Sequence, residues 1–171
     1  MLEVKSPWNL KTLEKVPQNN DSQIEIILEK ANAVSKSKSL DFPPDERIKI
    51  LKKFSQIIEK NLTELASLAA SEGGKPITDS LIEIKRGIDG VDCCIEVLKN
   101  DSGNVIPMNI DEASKNRMAF TQKEPIGVVL AISAFNHPFN LIIHQIIPAI
   151  ACGCVVIVKP AEDTPLSLIH I

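Results

Sequence analysis

The sequence predicts an α/β fold built on a parallel sheet, and two features carry that prediction. Residues 126–158 divide into an apolar run, IGVVLAIS, a helical stretch, and a second apolar run, VVIV. A strand–helix–strand unit of this kind implies parallel strands joined by a crossover. Ahead of it, hydrophobic side chains recur at helical spacing, punctuated by Pro, Gly and Asn.

The elements follow in order. Residues 1–17 read as an extended leader with a Ser-Pro turn. Asp21 or Ser22 can cap a helix that runs through Ile24, Ile27, Leu28, Ala31 and Val34. Residues 35–41 form a polar connection, and Pro43-Pro44 opens the next helix, with Ile48, Leu51, Phe54, Ile57 and Ile58 on one face. Asn61, with Glu64 three residues on, resembles a capping box for a helix lined by Leu62, Leu65, Ala66 and Leu68. That helix ends at Gly73-Gly74. After Pro76 a long helix carries Leu81, Ile84, Ile88, Val91, Ile95 and Leu98, and residues 100–103 close it. NVIPMNI, RMAFTQKEP and IGVVLAIS then read as β segments, the last typical of a strand covered on both faces. Residues 138–151 read as a helix ended by Gly153, and 155–158 as a short buried strand.

Composition narrows the function classes. Hydrophobic residues make up 44% and charged residues 24% of the 171, a soluble globular mixture with material for a substantial core. A net charge of −3 without a dense basic cluster argues against nucleic acid as a partner. The N-terminus mixes charges with hydrophobes and lacks a signal-peptide core, so a cytoplasmic location is expected. Cys93, Cys94, Cys152 and Cys154 form an adjacent pair and a Cys-Gly-Cys, neither a zinc spacing. Buried reduced thiols and no metal site are the expectation. Residues 139–158 approach membrane-span length, but Asn140, His144, Gln145, Pro148 and Gly153 interrupt them, and no membrane partner is expected.

Asn136 and His137 interrupt the apolar run where its first strand ends and its helix begins. Open α/β sheets bind ligands outside the carboxyl ends of their strands. A helix N-terminus there adds unpaired N–H groups and a positive dipole end. Two readings of Asn136 stand. It caps the helix, with Pro138 in the first turn, or its amide donates to a developing oxyanion.

The stretch EPIGVVLAISAFNHPFNLIIHQIIPAIACGCVVIVKPAEDTP resembles the N-terminal part of the aldehyde dehydrogenase superfamily. That family carries a PxGVV strand, a Pro-Trp-Asn-Phe-Pro-like turn, a helix ending in PALAAGN, and VVxKPSExTP. Upstream, SEGGKP at 71–76 and PPDERIKIL at 43–51 resemble further family segments. The resemblance implies a partial Rossmann-like cofactor-binding domain with N-terminal helices over 1–103, an extended oligomerisation arm over 104–124, and the first strand–helix–strand of the dinucleotide core over 125–165. The family binds its dinucleotide without a GxGxxG fingerprint, and none is present.

Site roles follow residue by residue from that resemblance. Asn136 matches the oxyanion donor, and His137 a variable neighbour. Lys159 and Glu162 match residues that contact the adenosine ribose of NAD. A carboxylate there accepts from both ribose hydroxyls and repels a 2′-phosphate, which favours NAD while leaving NADP possible. Ile132, Ser133, Ala134 and Phe135 match the strand end that lines the cofactor. Three departures stand out: Ala134-Phe135 replaces Pro-Trp, Gln145 replaces a frequent lysine, and Ala161 replaces the serine of PSE.

For an intact enzyme the resemblance implies covalent oxidation of an aldehyde to an acid. A cysteine thiolate attacks, hydride passes to the nicotinamide, and a glutamate-activated water releases the product. The family's nucleophile and base lie downstream, so this chain is expected to be an inactive N-terminal fragment of a homo-oligomer whose catalytic domain is absent. LSLIHI at 166–171 is also what a common sequencing adapter encodes, so this tail is a candidate adapter-derived addition. The alternative to the enzyme reading is a catalytically inert nucleotide-binding or assembly module, and a membrane hairpin from 126–158 is a more distant one.

Overall fold

The computed structural model describes residues 1–37 and 42–170. Residues 38–41 of the expected polar connection, and Ile171 of the expected tail, lie outside the described residues. The expected leader is a hairpin: β1 (Leu2–Lys5) pairs antiparallel with β2 (Thr12–Val16). Its loop is closed by Ser6 and Leu10, whose N–H groups donate to Lys11 at 2.9 Å and to Ser6 at 2.8 Å.

Four helices follow: α1 (Asp21–Lys36), α2 (Pro44–Lys60), α3 (Leu62–Gly73) and α4 (Ile77–Asn100). Two capping expectations are corrected. The cap of α1 is Asn20, in a reciprocal box with Gln23, so Asp21 and Ser22 fall inside the first turn. At α3 the Asn61 box does not form. The Asn61 amide turns back and donates to the Ile57 carbonyl at 2.7 Å, closing α2 instead. The left-handed stop is where expected, at Gly74, whose φ of +67° suits glycine.

The core sits between α2, α3, α4 and the later helix α5 (Asn140–Ala151), around Leu51, Ile58, Leu65, Ile84, Val91, Phe139 and Ile143. Helix α5 begins two residues later than expected because Pro138-Phe139 makes the turn into it. On either side of α5, β5 (Val128–Ile132) and β6 (Val155–Lys159) pair in parallel, from Val128 opposite Val155 to Ile132 opposite Lys159. Helices α1 and α5 both lie against this pair. The chain continues into α6 (Leu166–Ile169).

Three further expectations are corrected. β5 is not covered on both faces: Ala131 is buried, but Val128, Leu130 and Ile132 are exposed. An apolar run records that both faces are apolar, not that this chain covers both. Within 104–124 the pairing shrinks to β3 (Val105–Ile106) against β4 (Ala119–Phe120), antiparallel. The cysteines are free but not buried: Cys93 and Cys152 are exposed, Cys94 and Cys154 half-buried. Partial burial pushes the Cys94 thiol up, away from reactivity. No helix among the described residues is long and apolar enough to cross a membrane.

Candidate functional site

Two loops leave the carboxyl ends of β5 and β6 side by side. The ladder extends one step past β5, where the Ser133 N–H donates to the Lys159 carbonyl at 2.9 Å. Beyond it Ala134, Phe135, Asn136 and His137 are exposed, and then Pro138 and Phe139 plunge into the core. The second loop repeats this plan. Glu162 and Asp163 are exposed, and Thr164, Pro165 and Leu166 are buried. Thr164 joins the two by donating its hydroxyl to the Phe135 carbonyl at 3.1 Å.

Phe139 anchors the first loop. Its ring lies so close to α4 that a Cβ on Gly87 would sit 2.5 Å from the ring edge. Only glycine at that position allows the approach.

Neither α5 nor α6 is capped by a side chain from its own N-terminal residue. Each instead receives a buried glutamate from the helical layer. Glu83 of α4 is 2% exposed and accepts from the N–H groups of Phe139 at 2.8 Å and Asn140 at 2.9 Å. Its other oxygen pairs with Lys75 and faces His137 Nδ1 at 3.5 Å. Glu72 of α3, also 2% exposed, accepts from the N–H groups of Leu166 and Ser167, both at 2.7 Å, and from the Ser167 hydroxyl. Desolvation pushes the Glu72 carboxyl above its ordinary value, against the pull of those hydrogen bonds. Both carboxylates satisfy backbone donors that a helix start leaves free.

The structure therefore brings most of the expected residues to one rim. Ile132, Ala134, Phe135 and Asn136 sit exposed along the first loop, and Ser133 is buried beneath them. Lys159 ends β6 and Glu162 stands on the loop after it, Nζ to Oε1 3.9 Å, both solvated. Gln145, which stands where the resemblance puts a frequent lysine, donates its amide to the Ile132 carbonyl at 3.0 Å and ties α5 to the strand end. The Asn136 side chain makes no hydrogen bond among the described residues, so the amide is not spent on capping. Sequence reading missed Glu72 and Glu83. Their signal was an acid on an apolar helix face: Glu83 falls in line with buried Ser80, Ile84 and Gly87, and Glu72 with Leu65 and Ala69.

The chain matches known proteins throughout. A 3-sulfolactaldehyde dehydrogenase of Priestia aryabhattai is 41% identical over 125 residues, covering 73% of this chain and 26% of that protein. A lactaldehyde dehydrogenase of Methanocaldococcus jannaschii is 32% identical over 99% of this chain and 35% of its own length. A glyceraldehyde-3-phosphate dehydrogenase from the same organism, solved in complex with NADP, superposes with a TM-score of 0.91 at 31% identity, over 99% of this chain and 36% of that one. The chain thus spans about a third or less of the proteins it resembles. The model of the aldehyde dehydrogenase family matches residues 1–171, and with the strand-end rim in the arrangement just described the chain belongs to that family.

Proposed function

We propose that this chain is the N-terminal, cofactor-binding part of an NAD(P)-dependent aldehyde dehydrogenase, and that Asn136 donates its side-chain amide to the oxyanion formed when the aldehyde is attacked. The observation that carries this reading is the state of Asn136. It is exposed at the carboxyl end of β5, on a loop braced from below, with its amide uncommitted among the described residues. A donor fixed before charge develops is what stabilises an oxyanion.

The rim also suits a nicotinamide dinucleotide. Lys159 offers a cation and Glu162 a carboxylate for ribose hydroxyls, both exposed and close enough to share one sugar. Ile132 and Phe135 offer exposed apolar surface for a flat ring. The bound cofactor supplies a hydride acceptor. The protein's share is to hold it against the strand ends and to steady the oxyanion. Glu162 favours NAD, and the NADP complex of a similar dehydrogenase supports NADP as the second possibility. The exposed side chains of β5 support a further covering layer. Val105 and Phe120, exposed on the β3–β4 ribbon, support an arm that joins subunits of a homo-oligomer.

The test starts with an adapter-free read of the gene across codon 165, followed by expression of the complete reading frame. Asn136→Ala should lower kcat for aldehyde oxidation by about 10²–10³ while the cofactor KM barely moves. Wild-type kcat in that variant would overturn the reading.

A further inference from the structure

We propose that Glu83 is the positioning residue of the oxyanion donor: a buried carboxylate in α4 that fixes the backbone on which Asn136 stands. This rests on the reading of Asn136 given above. One carboxylate holds the chain just after Pro138 and lies near the side chain just before it. Its Oε1 takes the N–H groups of Phe139 and Asn140, and its Oε2 faces His137 Nδ1 at 3.5 Å. Asn136 stands three residues before the first gripped N–H, with only His137 and Pro138 between. On its other side the Phe135 carbonyl is held by Thr164. Asn136 is therefore suspended between two clamps. Its own side chain makes no bond among the described residues, so within this chain it is the backbone that places the Cα from which the amide reaches out.

A simple cap does not need this arrangement. Ser, Thr, Asp or Asn at the N-cap would satisfy the same N–H groups at the surface, without burying a charge. Burying a carboxylate is costly unless it is paired and fully hydrogen-bonded. Here it is both: Lys75, the least exposed of the described ion-pairing lysines, closes the remaining oxygen. The arrangement also leaves the loop's own polar side chain uncommitted. The ring of Phe139, wedged over Gly87 one helical turn beyond Glu83, keeps the loop from sliding along α4.

The experiment is a double-mutant cycle on the complete enzyme, with kcat as readout. Glu83→Ala should lower kcat by about 100-fold through misplacement of the amide, with the cofactor KM within about twofold. Glu83→Gln keeps an acceptor for both N–H groups and should recover most of the rate. In an Asn136→Ala background, Glu83→Ala should cost less than about threefold, because the group it positions is already gone. If Glu83→Ala fails to fold, the cycle runs with Glu83→Asp, which keeps the charge and withdraws the acceptor by about 1.5 Å. Equal fold-losses with and without Asn136 would make Glu83 merely structural and overturn the proposal. An Asn136→Ala enzyme with full activity would overturn the functional reading itself, and this proposal with it.

Discussion

The loops after β5 and β6 are built alike and finished differently. Each has an exposed tip, a buried stem and a glutamate from the helical layer on the first N–H groups of the next helix. Glu83, under the first loop, has a lysine on its second oxygen and a histidine nearby. Glu72, under the second, is bonded by Leu166 and Ser167, with Lys75 and His170 acting on it only through space, and its carboxyl is pushed up. The first loop is thus held by a carboxylate paired with a lysine, the second by one whose carboxyl desolvation pushes up.

The largest effect expected of breaking this comparison is at Phe139, whose side chain has no counterpart of its size under the second loop. Phe139→Ala should cost about 3–5 kcal/mol, read by urea unfolding of the complete protein. A loss below about 1 kcal/mol would mean the stem is not pinned by the ring. Next is Gly87→Ala, which gains helix propensity but pushes a methyl into that ring. A net loss of about 1–2 kcal/mol is expected, and a stabilised variant would show that the ring has room to move.

Glu72→Gln sharpens the contrast by pH. The folded state holds the Glu72 proton longer than the unfolded chain does, so it binds more protons in the window above the ordinary glutamate pKa. Stability contributed there falls as pH rises from about 4.3 towards the raised folded value. The glutamine variant should lose that slope and, at neutral pH, change stability by no more than about 1 kcal/mol. An unchanged slope would place the titration elsewhere. Smallest in stability is Glu162→Ala, on the exposed tip of the second loop: about 0.5 kcal/mol or less, because its partner Lys159 is solvated. Its effect belongs in cofactor choice. The kcat/KM ratio should move towards NADP, and an unmoved ratio would remove Glu162 from the ribose contact.

How much of this was legible in the sequence depended on distance along the chain. Helix α4 and the β5–α5–β6 unit could be read from spacing and apolar runs, because those signals are local. The motif around Asn136 gave the rim. The braces were not legible. Glu83 meets Asn140 across 57 residues and Glu72 meets Leu166 across 94, and no local pattern reports a pairing that long. Asn61 failed in the opposite way. Its capping box was read correctly as a pattern, but the amide had a competing carbonyl one turn back, at Ile57. The exposure of Leu130 and Ile132 was hidden because a strand's apolarity is the same whether or not its cover is present.

The length of those braces also bears on when the rim takes shape. Helices α2, α3 and α4 are neighbours in sequence and pack on one another, so they can assemble while little chain exists beyond them. The loop over Glu83 cannot close until residue 140 has emerged, nor the one over Glu72 until residue 167 has. Closing such long loops is entropically late. During synthesis the two carboxylates can be covered only after the strand-end loops that bind them have been made. Completion of the rim is in that sense also a desolvation step, since both carboxylates end up 2% exposed.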